Sequence, residues 1–209
     1  MARRIGSDGV KTRSAICDAA VRLIARYGYE ALSMRRLAEE IDLGAAALYR
    51  YFPNKQAMLY HLLESHMDDL LSAWGEVNPG SGITPAARLE AFTRFHIRHH
   101  WTRADNLFLS YMELRSLDAE NFKKIEDLRR TYERAIAEII EDGCAQNTFA
   151  PQDPWVTSRA IIALLNGLTT WFKADGPIKA DAIEEMYLNM VLGLAGVTTA
   201  KETECLTPA

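Results

Sequence analysis

No run of about 18 consecutive apolar residues occurs in this 209-residue chain, which removes a membrane-spanning helix from consideration. The basic opening MARRIGSDGVKTR is followed by no apolar stretch long enough for a secretory signal. Cysteine is scarce: Cys17, Cys144 and Cys205 are widely spaced and form neither a metal-ligand pattern nor a disulfide framework. An odd, unpaired set of this kind fits a reducing cytoplasm. Serine, histidine and aspartate occur without a nucleophile elbow, and no glycine-rich phosphate loop is present. The chain therefore reads as a protein without enzymatic activity, with no catalytic residue, no cofactor and no metal expected. Convincing pairs of alternating strands, internal repeats and low-complexity segments are also lacking.

What remains is an all-α chain with enough apolar material for a sizeable core, 48% hydrophobic against 25% charged. The net charge of −4 is unevenly divided: residues 1–60 hold ten Lys and Arg against six Asp and Glu, and residues 61–209 hold fourteen against twenty-two. A basic head on an acidic body suits attraction to phosphates at one end only. Helical periodicity places Ile16, Ala19, Ala20, Leu23, Ile24 and Tyr27 on one face, with Gly28 ending that helix. After Pro53, Met58, Leu59, Leu62, Leu63, Leu70, Leu71 and Trp74 support a long helix toward Val77. The Asn78–Gly82 cluster is the clearest break, and Thr84-Pro85 a capped start. Further helices fit about 85–101, 104–117, 120–146, 154–173 and 180–195, and the polar tail 198–209 is expected to fray. The expected organisation is a three-helix head over 1–54, a connecting helix over 55–78, a helical body over 79–197 and the tail.

The most informative segment is SMRRLAEEIDLGAAALYRYFPNK, from Ser33 to Lys55. It holds two short helical patterns, with Leu37, Ala38 and Ile41 apolar on the first and Leu48 with Phe52 on the second. Asp42-Leu43-Gly44 joins them, Gly44 supplying a cap-compatible backbone, and Pro53 stops the second, because the residue before a proline is pushed out of the α region. Two short helices with a glycine-containing turn make a helix-turn-helix, whose second helix can enter the DNA major groove.

The flanks supply an ordered set, A-A-x-x-L-I-x-x-x-G-Y from Ala19, L-A-E-E from Leu37 and L-Y-x-Y-F-x-x-K from Leu48. Over roughly residues 12–63 this closely resembles the N-terminal domain of the TetR family of transcriptional regulators. The resemblance implies an N-terminal helix-turn-helix domain and a larger C-terminal domain that binds a small molecule and forms a homodimer. It carries backbone contacts onto Tyr49 and Lys55. From the residues themselves, Ser33 can offer its hydroxyl to a phosphate, Arg35 and Arg36 follow it, and Arg3 and Arg4 can act as an arm in the minor groove. The turn departs from the family: many members carry hydroxyl residues where this chain has Gly44-Ala45-Ala46-Ala47. Alanine side chains donate no hydrogen bond but can meet thymine methyl groups, so Gly44, Ala45 and Ala47 join the candidate DNA contacts and base reading shifts toward Arg36.

In the body, His96, His99 and His100 fall at i, i+3 and i+4, a spacing that can share a metal but here lacks a further ligand. A polar lining or a helix-terminus role is the expected one. Aromatic and thioether side chains gather nearby at Phe92, Phe95, Phe108, Tyr111 and Met112, and Asn166, Thr170 and Trp171 punctuate a later apolar helix. Apolar walls with a few orienting polar groups suit a small-molecule cavity, and these residues with His96 and His99 are its candidate lining. The run GLTTWFKADGPI is similar to a W-[FY]-[KR]-x-x-G segment of TetR-type regulators of lipid, branched-acid and steroid degradation. That resemblance implies an acyl-CoA effector; the alternative is a drug-sensing repressor of an efflux pump, which a cavity rich in aromatics and holding buried acids would favour. Ile183, Met186, Tyr187, Met190, Val191 and Leu194, with Val156, Ala160, Ala163 and Leu164 on the preceding helix, form faces expected to pair in a homodimer. The expected partners are thus a palindromic double-stranded operator, the effector and a second copy of the chain, with no membrane.

Overall fold

The computed structural model describes residues 7–173 and 176–197, and no strand occurs among them. Their α-helices are α1 (Ser7–Tyr27), α2 (Met34–Glu40), α3 (Ala45–Leu48), α4 (Lys55–Val77), α5 (Pro85–Trp101), α6 (Ala104–Met112), α7 (Ala119–Ala145), α8 (Pro154–Trp171) and α9 (Ala180–Leu194). Short 3-10 turns occupy Gly80–Gly82 and Leu114–Ser116. Arg3, Arg4 and the tail expected to fray lie outside the described residues.

Local chemistry accounts for most boundaries. Thr84 and Asp153 cap α5 and α8 through side-chain oxygens, each with proline in the first helical turn. Gly28, at φ +82°, ends α1 in the left-handed region that glycine tolerates best. α6 stops before the expected 117: the Ser116 N–H closes on Glu113 O at 2.9 Å, tightening the chain into a 3-10 turn.

The chain forms two compact units, and they interleave rather than follow one another. One comprises residues through Leu70 with Arg103–Arg129; the other comprises Leu71–Thr102 with residues from Arg130 onward. The physical reason for assigning 103–129 to the first unit is that α6 packs on α1. Its core takes Ile16, Ala20 and Ile24 from α1, Leu37 from α2, Leu48 from α3, Met58, Leu59 and Leu63 from α4, and Leu109 from α6. Burying each leucine, isoleucine or methionine among them is worth about 1.5–3 kcal/mol.

In the second unit α5 packs against α8 and α9, and α8 against α9. Leu89, Phe92, Ile136, Ile140, Ile161 and Val191 are fully buried there. Glu184 of α9 is also buried, at 3% exposure, because two arginines of α5 reach it. Arg98 approaches with Nε at 2.8 Å and Nη2 at 2.7 Å, and Arg94 Nη1 at 2.6 Å. Arg94 also bridges Glu90 and Glu185. No helix among the described residues is long and apolar enough to cross a membrane.

The apolar face expected on α9 is in fact two faces. Ile183, Tyr187 and Val191 pack inside the protomer, whereas Met186, Met190 and Leu194 are exposed. The apolar arc is wide enough to serve both sides, and the four-residue spacing separates them. On α8, Val156, Ala160 and Ala163 are exposed and Leu164 is half-buried.

The Glu184 network makes stability pH-dependent. Burial opposes ionisation of Glu184, but Arg98 and Arg94 outweigh it and hold the carboxyl below its ordinary 4.5. A depressed folded-state value adds stability that is complete above the unfolded value and disappears as pH falls through the folded one. Thermal unfolding should therefore show Glu184→Gln less stable by about 1–3 kcal/mol near neutral pH, with the gap closing well below pH 4.5. A gap independent of pH would refute this account.

Candidate functional site

The first unit presents its cations around α2 and α3. Ser33 caps α2, its Oγ accepting the Arg36 N–H at 3.2 Å, which starts the helix at the residue before the arginine pair. Asp42, at φ +52°, is the left-handed residue of the turn; Gly44, at φ −64°, is not. The Asp42 N–H donates to Glu39 O at 3.3 Å and the Leu43 N–H to Ala38 O at 2.9 Å, a Schellman closure of α2. Aspartate tolerates this conformation better than most residues, which explains why no glycine is needed there. Gly44 instead starts α3 from extended backbone without a side-chain cap.

Leu48 and Phe52 are buried and anchor α3 and the turn after it. Gly44, Ala45 and Ala46 are exposed and Ala47 half-buried, so a surface of methyl groups faces solvent. Tyr49 projects at 50% exposure beside it. Arg35 pairs with Glu39 on the open surface at 3.0 Å, a contact of small energetic weight. Arg36 lies over the Tyr27 ring at 4.4 Å, and Lys55 Nζ over the Tyr29 ring at 3.9 Å.

Two aromatic platforms were thus invisible in the heptad-like pattern of α1. Tyr27, grouped by spacing with the apolar face of α1, is 44% exposed and supports Arg36 instead. Tyr29, just past the helix, is buried and supports Lys55. Its phenol is pushed up to about 12, first by burial and then by the Glu30 and Glu113 carboxylates, so it stays neutral at ordinary pH. The hint available from sequence was the pair of tyrosines flanking a helix-ending glycine shortly ahead of Arg35-Arg36.

The second unit holds a cluster of rings on α5. Phe92 is buried against Trp74 at 5.1 Å and Tyr132 at 5.2 Å, and Phe95 meets Trp74 at 5.3 Å. His96 is clamped between Tyr132 Oη, 3.1 Å from Nδ1, and Asn166 Oδ1, 3.0 Å from Nε2. A ring with its proton on Nε2 donates to Asn166 Oδ1 and accepts the Tyr132 hydroxyl on Nδ1. His100 packs edge-on against His96 at 4.5 Å and against His99 at 5.2 Å. No group of three His, Cys, Asp or Glu placed to hold a metal occurs among the described residues.

Among the candidate lining residues, Phe92, Phe95, His96, His99 and Asn166 therefore gather around one face of α5. Thr170 does not join them: it is exposed and its hydroxyl donates to Gly167 O at 2.7 Å. Trp171 is 51% exposed at the end of α8. Phe108, Tyr111 and Met112 belong to the first unit, where each is more than 40% exposed.

A helix-turn-helix with exposed cations at its entry, joined to a larger helical unit, defines a DNA-binding regulator of transcription. Residues 16–62 match the description "Bacterial regulatory proteins, tetR family", and residues 82–195 match "Tetracyclin repressor-like, C-terminal domain". The chain belongs to the TetR family of transcriptional regulators. Among curated proteins it is 25% identical over 186 residues to the HTH-type transcriptional repressor KstR2 of Rhodococcus jostii RHA1, covering 88% of this chain and 91% of that one. A tetR-family regulatory protein from Rhodococcus RHA1 superposes with a TM-score of 0.83 at 26% identity, covering 90% of this chain and 99% of that chain. AibR, crystallised in complex with isovaleryl coenzyme A and operator DNA, superposes with a TM-score of 0.76 at 26% identity, covering 89% and 99%. These relatives are transcriptional regulators and not enzymes.

We propose that this surface makes two kinds of DNA contact, Arg36 to a base edge and Tyr49 to a phosphate. Arg36→Ala should relax preference at one base pair, costing about 1–3 kcal/mol on the preferred sequence and little on random DNA. Tyr49→Ala should weaken both alike, because a phosphate contact carries no sequence information. Equal losses on both DNAs for the Arg36 change would reverse its assignment.

Proposed function

We propose that the chain is a homodimeric repressor that binds a palindromic operator and leaves it when an acyl-CoA thioester occupies the second unit. The observation that carries the effector class is the likeness, along nearly the whole chain, to AibR in complex with isovaleryl coenzyme A and operator DNA. The repressor KstR2 of Rhodococcus jostii is a second relative of nearly full length. The candidate effector site is the α5 ring cluster, where Phe92, Phe95 and His99 offer apolar and aromatic surface and the His96–Asn166 pair offers polar orientation. Thr170, Trp171, Phe108, Tyr111 and Met112 stay outside this reading of the site.

The charge pattern favours a thioester over a cationic drug. A site for cations needs a buried acid free to pair with the ligand. In the second unit Glu184 is already held by Arg94 and Arg98, and Glu133, whose Oε2 is buried, faces the Arg159 guanidinium at 3.5 Å. A multidrug sensor is the weaker reading on that ground.

DNA contact falls to Ser33, Arg35, Arg36, the Gly44–Ala47 surface, Tyr49 and Lys55. A second copy would pair through Val156, Ala160, Ala163 and Leu164 of α8 with Met186, Met190 and Leu194 of α9; Ile183, Tyr187 and Val191 back these residues from inside. Exposed methionines at this spacing are costly to leave in water. A dimer sets two recognition helices at a fixed separation, so a small change of spacing mismatches successive major grooves. An effector shifts that equilibrium only by its differential affinity for the two states, and operator DNA must weaken effector binding by the same factor. Work in the reducing cytoplasm suits such a protein.

Isovaleryl-CoA, longer acyl-CoAs, the free acids and cationic dyes should be titrated against the protein bound to its own promoter DNA. Release by thioesters alone is expected; release by cations alone would overturn the effector class and leave the repressor intact. Light scattering at micromolar protein should give the mass of two chains, and Met190→Glu should shift it toward one. A wild-type monomer would refute the pairing.

A further inference from the structure

Within the first unit, the segment after α6 grips the amino-terminal helices at two points. Glu113, the residue that ends α6, accepts the Tyr29 N–H on Oε1 at 3.0 Å and the Ser116 hydroxyl on Oε2 at 2.9 Å. Gln56, in the first turn of α4, donates to Ser116 O at 2.6 Å and accepts the Asp118 N–H at 3.2 Å. The grips meet at Tyr29, whose ring lies 3.9 Å from Lys55 Nζ. Lys55 also donates to Glu30 O, at 3.4 Å, on the peptide that follows Tyr29. The turn between is short and conformationally special, with Gly28 at φ +82° and open space above its Cα up to Glu113 Oε1, 3.8 Å from where a Cβ would stand.

We propose that Glu113, although 84 residues away in sequence from Tyr29, is a positioning residue for the Lys55 ammonium at the DNA backbone. This rests on the reading of Lys55 as a phosphate contact. A free lysine side chain loses up to about 2 kcal/mol of rotamer entropy when it is fixed. Here the ring face and the Glu30 carbonyl hold it before DNA arrives, and two of its three N–H donors remain for a phosphate. The platform is only as fixed as the Gly28–Glu30 turn. That turn is tied by a charge-assisted bond from its own backbone to Glu113. The carboxylate accepts from the Tyr29 N–H and the Ser116 hydroxyl, and through these two bonds it stiffens the platform.

Backbone phosphates carry the same charge in every sequence, so a duplex of about 30 base pairs and arbitrary sequence serves as probe, with affinity measured across a salt series. Lys55→Gln should flatten the slope of log K against log salt by about 0.9 per protomer. Glu113→Ala should flatten it in the same direction. Glu113→Gln, which keeps an oxygen toward Tyr29, should restore most of the wild-type slope, and Glu113→Ala placed on Lys55→Gln should add no further change. If Glu113→Ala fails to fold, Glu113→Asp, shorter by one methylene, should produce the same flattening. An unchanged slope in the Glu113 variants beside a flattened one in Lys55→Gln would overturn the positioning role alone. An unchanged slope in Lys55→Gln would overturn the phosphate reading and the positioning role with it.

Discussion

A helix of four residues cannot hold itself in place, and the surface proposed to meet DNA depends on how α3 is held. So short a segment closes barely more hydrogen bonds than the nucleus whose entropy it must overcome. Leu48, wholly buried, and Phe52, nearly so, supply what the backbone lacks. With those two side chains in the core, Ala45, Ala46 and Tyr49 have only one direction to point. The Schellman closure at Asp42 fixes the angle at which the chain enters α3, and the helix gives way to a turn after Leu48, ahead of Pro53, where the Tyr51 N–H closes on Leu48 O at 2.9 Å. A methyl-bearing surface flanked by cations follows from these anchors and not from any helical preference of three alanines.

The second unit solves a different problem, that of polar groups inside a helical core. His96 is satisfied on both nitrogens by Tyr132 and Asn166, and Glu184 by two guanidinium groups. Unsatisfied, each would cost far more than the bond it makes. α5 carries both arrangements on different faces, the rings toward α7 and α8 and the arginines toward α9. A ligand that reached the rings would therefore disturb a helix already bound by charge to the helix proposed for pairing.

The division of the chain bears on how a signal could travel. α4 and α7 each contribute residues to both units, and the chain passes from one to the other once more at Thr102–Arg103.

Much of this was legible in the residues. The ordered motifs from Ala19 to Lys55, the caps at Ser33, Thr84 and Asp153, and the helix limits set by proline and glycine are local matters, governed by backbone sterics and side-chain oxygens a few positions away. The all-α class and the family came from the same local signals. What periodicity could not show was which of two partners an apolar or aromatic residue faces. It grouped Tyr27 with the apolar face of α1, whereas the structure gives it to Arg36, and it merged the inner and outer faces of α9. Nor could it connect Glu113 to Tyr29 or His96 to Asn166, because those bonds join residues far apart in sequence. Near-neighbour chemistry sets helices and turns from sequence alone; long-range satisfaction of buried polar groups exists only once the helices have packed.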